Sequence, residues 1–448
     1  MTVRENLMLN SITTANQISN SPKPLSALNF KGVNHPAELQ SDEFVKEGDD
    51  KEKKMSKGKL AAIIGGVVAF GGIIAAAILC KGKTLQPANF AEHIEFVKAN
   101  TMEEAIGFAK KHFGIENFNL GDDLELANWV NEGLVKINNR FKGKANMPKQ
   151  VILDEAYFAK NPDACAYHSE RKHTIGINKK YFDGAIDKFK ALLEEGKKAS
   201  EKIASSDGDG TMTTREYALS LLNTPIKYID DTHFQFENLP NLDYILQAEI
   251  LTKVEKFKNA PEQFSRFDAA NALMMIQDLE VSALRFATEP ITIIKDMFKK
   301  APEFFSQKGK TIEEYEKLSN KELHSTLTDL IHEYNNANPQ KPYSIAGTHR
   351  GNSKFDILWH EMGHLLHDMN TALKDGFWGV LSKKSYKDFK NDSEKQHIAG
   401  LVSLYGQTNP KEFVAECFQA MCAGRKLPKE VMDQYKFYKG PMLPEMGS

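Results

Sequence analysis

Apolar residues along this 448-residue chain change period several times. Residues 1–57 are rich in Asn, Ser, Thr, Pro and Lys with scattered apolar positions, a pattern that predicts a disordered segment. From Leu60 to Cys80 the run LAAIIGGVVAFGGIIAAAILC carries no charge. At about 1.5 Å per helical residue such a run can cross a bilayer. Lys57, Lys59, Lys81 and Lys83 flank it, so residues 58–83 are expected to form a transmembrane helix. Lys46, Lys51, Lys53 and Lys54 add to the positive charge before the run, whereas only Lys98 follows Lys83 nearby. That excess predicts a single-pass membrane protein with a cytoplasmic N-terminus and an extracytoplasmic C-terminal domain.

Residues 84–145 read as a small helical unit. Thr101 and Glu104 form a capping-box pattern. Asp122 and Asp123 start a second helix, whose apolar face carries Leu126, Trp129, Val130, Leu134, Ile137 and Phe141. Near residue 146 the pattern changes. Val151–Leu153 and His173–Asn178 read as short strands, the second with β-branched alternation. An edge strand of such a sheet can bind an extended peptide by strand addition. Residues 184–340 return to helical periods, with helices expected at Leu242–Phe257, Pro261–Ala287, Ile291–Lys300 and Lys321–Tyr334. Leu273, Met274, Met275 and Ile276 read as core there, and His324 and His332 as lone helical histidines.

Charge changes this picture little. The formal net charge is -2, which gives no basis for a nucleic-acid partner. The four cysteines form neither a CxxC pair nor a zinc ribbon, and Cys417 and Cys422 are spaced five apart within a predicted helix.

Candidate chemistry begins at residue 358. Leu358, Met362, Leu365 and Met369 recur at i, i+4, i+7 and i+11, one stripe of a helix. His360-Glu361-Met362-Gly363-His364 lies inside that stripe. On a helix, His360 and His364 leave the same face about 5–6 Å apart, so both rings can bind one zinc ion. Glu361 then sits beside the metal, placed to accept a proton from an attacking water and return it to a leaving amine. Gly363 keeps the helix face thin where a strand or substrate comes close. HExxH is short enough to occur by chance, so helical context and a third ligand must support it. The long HExxHxxGxxH form needs Gly at 367 and His at 370, where this chain has His367 and Asn370. The third ligand must therefore come from elsewhere.

Residues 405–419, YGQTNPKEFVAECFQ, offer it. Asn409 and Pro410 mark a helix start, as cap and first helical residue. Glu412 and Glu416 share one face of an otherwise apolar helix, and buried carboxylates need a partner. A zinc ion and its histidines would provide one.

HEMGH followed by YGQTNPKEFVAECF resembles the catalytic domain of anthrax-toxin lethal factor and related gluzincin metallopeptidases. The resemblance implies His360, His364 and Glu412 as zinc ligands and Glu361 as general base. It also implies that Tyr405 supports the oxyanion and that Glu416 orients a zinc-bound histidine. It covers HEMGH and residues 405–421, with a possible extension to the strand entry at Met147. Residues 1–140 and most of 184–340 lie outside it.

One further motif lies in the helical insertion. Ser205-Ser206-Asp207-Gly208-Asp209-Gly210-Thr211 through Glu216 resembles an EF-hand calcium loop, residues 205–216, with helical patterns on both sides. Aligned on Gly210, Asp207, Asp209, Thr211 and Glu216 take ligand positions, whereas Ser205 stands where an aspartate normally coordinates. A weak calcium site is expected.

The combined expectation is a predominantly helical α+β chain. A zincin-like metallopeptidase domain, 146–448, contains a small sheet and the helical insertion, and a transmembrane helix precedes it. The expected function is a membrane-anchored zinc endopeptidase acting on protein or peptide substrates. The alternatives are a catalytically silent, calcium-responsive membrane scaffold and a toxin-like secreted protease.

Overall fold

In the computed structural model, which describes residues 29–30, 90–170, 172–205, 211–223, 226–228, 234–236, 243–338, 341–374 and 383–443, four short strands form one mixed sheet. The strands are β1 (Asn117–Asn119), β2 (Gln150–Leu153), β3 (Ala166–Ser169) and β4 (Thr174–Ile177). Their spatial order is β1-β2-β4-β3. β1, β2 and β4 run parallel, and β3 pairs antiparallel with β4 at the edge, with His168 opposite Ile175. Gly176 lies opposite Tyr167, whose ring occupies the space a Cβ would need at that position. Tyr167 uses that space to donate a 2.7 Å hydrogen bond to Asp154, which anchors the edge strand.

Two further two-stranded ladders are present, Asn29–Phe30 with Thr211–Met212 and Ile226–Tyr228 with Phe234–Phe236, and most of the remaining regular structure is helical. α1 (Met102–Phe113) is capped by Thr101, and α2 (Leu124–Arg140) by Asp123. The apolar face predicted for α2 is buried. The segment read as a small helical unit thus supplies one strand of the sheet and a helix beneath the HExxH segment. That segment is α9, Asp356–Lys374. Its Trp359 donates to the Gly133 carbonyl of α2 at 3.2 Å, and Trp129 donates to the Lys354 carbonyl just before α9.

The insertion supplies α3 (Ala185–Ser205), α4 (Thr214–Ser220), α5 (Tyr244–Asn259), α6 (Arg266–Thr288), α7 (Pro290–Lys300) and α8 (Asn320–Ala337). α6 packs on the same core. Its Phe267 stacks on Trp129 at 4.7 Å, and Leu273, Met275 and Ile276 are buried. After α9 come α10 (Pro410–Cys422) and α11 (Lys429–Phe437). The whole is mostly helical with a small sheet, consistent with an α+β fold.

One expectation is corrected. Among the described residues, no helix is long and apolar enough to cross a membrane. The longest, α6 with 23 residues, carries Arg266, Asp268, Asp278, Glu280 and Arg285, and each charge would be costly in hydrocarbon. The transmembrane helix, and the single-pass placement with an extracytoplasmic domain, are therefore not carried further. The Leu60–Cys80 run that suggested them lies outside the described residues.

Candidate metal centre

Two helices build the centre. α9 presents His360 and His364 one turn apart. α10 crosses it at Gly363, where an added Cβ would stand 3.0 Å from Ala415 Cα and 3.2 Å from Phe418 Cβ. The thin face expected at Gly363 is thus filled by α10, not by a strand or substrate. α10 starts as its sequence predicts: Asn409 accepts from the Lys411 and Glu412 amides at 2.9 and 3.1 Å, and Pro410 follows in the first turn. This fixes Glu412 in the first turn, facing α9.

Nε2 of His360 lies 3.0 Å from Oε2 of Glu412, and Nε2 of His364 lies 3.1 Å from the same oxygen. The two Nε2 atoms are 3.1 Å apart. All three side chains are buried, and the group can hold a metal ion. Burial disfavours the charged form of Glu412, but His364 and His360 outweigh it and hold the carboxyl well below its usual range. Burial likewise opposes charging of His360, yet Glu412 and Glu416 raise its basicity.

Glu416 stands one turn behind. Its Oε1 is 3.0 Å from Nδ1 of His360, the nitrogen facing away from Glu412. Burial pushes the Glu416 carboxyl up, but Arg350 and His360 bring it down to about 2. Arg350 Nε lies 3.4 Å from Glu416, and the same guanidinium pairs with Asp278 of α6. At the start of α9, Asp356 accepts from Asn271 of α6 and from the Ser353 amide, each at 3.0 Å. The insertion therefore braces both helices that carry the group.

Glu361 is buried; burial opposes charging of His364, and Glu412, with a smaller contribution from Glu361, raises its basicity. The ring centroid of Tyr405, in the turn Tyr405–Gln407, is 5.7 Å from that of His360. His367 is fully buried, and its Nε2 lies 2.6 Å from the Tyr438 carbonyl just after α11. His324 and His332 contribute nothing to the group: Nε2 of His324 lies 2.9 Å from the Ala287 carbonyl, and His332 neighbours Asn336.

The calcium-loop residues are placed only in part. Asp207 and Asp209 lie outside the described residues, Ser205 ends α3, and Thr211 belongs to a two-residue strand parallel to Asn29–Phe30. Glu216 is described. Its Oε1 accepts from Lys202 at 2.8 Å, and its Oε2 from the Thr213 amide at 2.7 Å, closing a capping box at the start of α4.

Sequence reading missed Arg350, Asp278, His168, Asp368 and Lys411. Asp278 within the apolar stretch of α6 and Asp368 within an apolar HExxH helix were visible signals, because buried carboxylates need partners. Their partners come from segments far apart in sequence. Comparison with known protein families, with characterised proteins and with solved structures finds no match for this chain. The resemblance to lethal-factor-like gluzincins therefore rests on the quoted motifs alone.

Proposed function

We propose that this chain is a zinc-dependent endopeptidase of the gluzincin type, acting on protein or peptide substrates. The observation that supports it is the meeting of His360 Nε2, His364 Nε2 and Glu412 Oε2 at 3.0–3.1 Å. Two imidazoles and one carboxylate are a donor set of catalytic zinc sites that keep one position open. Tetrahedral zinc with bonds of about 2.0–2.1 Å separates its ligand atoms by roughly 3.3–3.4 Å. The observed spacing differs by a few tenths of an ångström, so the group fits the ion with little movement.

Bound there, zinc supplies a Lewis acid that acidifies water and polarises a carbonyl. The protein's own groups do the rest. Glu361 accepts the proton from the attacking water and passes it to the leaving amine. The Tyr405 phenol donates to the oxygen on which negative charge develops. Glu416 accepts from Nδ1–H of His360, which leaves Nε2 as the ligating nitrogen and fixes the ring angle.

The test is metal analysis and peptide-library cleavage with the purified chain, beside Glu361→Gln. The wild type should hold one zinc ion and cleave. The variant should keep the metal and lose roughly 10²–10⁴-fold in turnover. Equal turnover in the two proteins, or a zinc-loaded wild type that cleaves nothing, overturns the reading.

A further inference from the structure

Beside the metal-capable group lies a second buried cluster that none of the roles above uses. Lys411 Nζ is 2.8 Å from Asp368 Oδ1, and the two side chains are only 9% and 4% exposed. His168 Nδ1 is 3.4 Å from the other oxygen, Asp368 Oδ2, and the His168 side chain is also 4% exposed. The position of each residue is informative. Lys411 directly precedes Glu412, Asp368 lies one helical turn beyond His364, and His168 belongs to edge strand β3. The His168 ring lies nearly parallel to that of His364, at 15°, with centroids 6.4 Å apart. Outside the strand, Glu170 adds a more distant partner for Lys411 at 3.9 Å.

Apolar packing already joins these elements. Leu365 on α9 and Phe413 and Val414 on α10 are fully buried. A buried ion pair adds little net stability over apolar residues of the same size, but moving or removing one partner leaves an uncompensated buried charge. Asp368 touches both α10 and β3, so it sets the spacing of three elements at once. Among the described residues, the outer edge of β3 carries no neighbouring strand, and an extended peptide can pair with such an edge.

We propose that Lys411, Asp368 and His168 form a positioning clamp. It fixes the free edge of the sheet against the two ligand-bearing helices, so that a peptide paired with β3 is delivered in register to the His360/His364/Glu412 group. This rests on the peptidase reading for its use, but not for its physical test. The three are positioning residues that act through strand and helix placement.

The first measurement needs no catalysis. Hydrogen exchange on the full chain compares wild type with His168→Phe and with the charge-neutral double variant Lys411→Met/Asp368→Asn. Those β3 amides that bond to β4 should exchange at least tenfold faster in both variants, while residues 360–364 and 410–416 keep their protection. Unchanged exchange in the strand overturns the clamp, as does equal loosening of strand and helices. The second measurement uses a peptide that the wild type cleaves. His168→Phe should bind zinc within about threefold of wild type in a chelator competition and lose about 10–100-fold in kcat, since small misplacement of the scissile bond is costly. His168→Gln, which keeps a polar group able to reach Asp368, should recover part of that loss. Full activity in His168→Phe overturns the clamp. A wild type with no peptidase activity overturns the function proposed above, and the exchange result then judges the clamp separately.

Discussion

Glu416 holds the far nitrogen of His360: its Oε1 lies 3.0 Å from Nδ1, while Nε2 of the same ring lies 3.0 Å from Glu412. One imidazole is thus held between two glutamates a helical turn apart on α10. The geometry separates their roles. Glu412 shares the face where His364 arrives, and Glu416 shares the face where Arg350 arrives. Glu412→Ala should therefore abolish most zinc affinity, because a ligand is gone. Glu416→Ala should weaken affinity or activity by roughly 10–100-fold, because only ring orientation is lost. Zinc titration against a competing chelator decides it. Metal lost from Glu416→Ala and kept by Glu412→Ala would invert the assignment.

Gly363 tests the helix contact that brings the ligands together. A methyl group there meets backbone, Ala415 Cα at 3.0 Å, and backbone cannot rotate away. Alanine normally favours a helix interior over glycine by about 1 kcal/mol. Overpacking of about 1–3 kcal/mol should exceed that gain. Gly363→Ala is expected to lower the melting temperature and to loosen zinc, because α9 carries His360 and His364 while α10 carries Glu412. A melting temperature raised by the substitution would show that the two helices separate at no cost.

Asp356, fully buried at the start of α9, gives a pH dependence with a defined sign. Burial pushes its carboxyl up to about 7, against the opposing pull of Lys253 and Arg350. Between its ordinary value of 3.8 and about 7, the unfolded chain releases this proton while the folded chain retains it. The folded state binds more protons there, so this group's contribution to stability falls as pH rises through that window and is constant above it. Asp356→Asn, which keeps an acceptor for Asn271 and the Ser353 amide, should show a smaller fall. Urea unfolding of both proteins at pH 5 and pH 8 with excess zinc measures the difference. Identical losses would remove Asp356 as the source.

Calcium should bind the 205–216 loop weakly, in the range of about 10⁻⁴–10⁻³ M. Both Glu216 oxygens already accept hydrogen bonds, from Lys202 and from the Thr213 amide. A calcium ion must compete with that ammonium group, so Lys202→Met should tighten binding and Glu216→Gln weaken it. Calorimetry on the three proteins gives the order. An absence of heat at millimolar calcium in all three would leave the loop an ordinary turn.

The sequence alone determined what local rules can carry. The 3.6-residue stripe through Leu358, Met362 and Leu365 put His360 and His364 on one helical face, because helix geometry sets i and i+4 together. Asn409-Pro410 set the start of α10, and thereby the face on which Glu412 and Glu416 stand, because a cap and its first turn are local chemistry. Strands β2 and β4 were legible from their β-branched runs, whereas β1 (Asn-Phe-Asn) and β3 (Ala-Tyr-His-Ser) contain no β-branched residue. Only the tertiary structure decided which oxygen meets which nitrogen. It turned Glu412 toward both Nε2 atoms, placed Glu416 behind His360 and brought in Arg350 with its Asp278 partner from α6. It also set His168 of the edge strand against Asp368, 200 positions later in the numbering of this chain. Such pairings depend on how helices and sheet pack, and a one-dimensional pattern of apolar and polar residues specifies which face is buried without specifying what lies across from it.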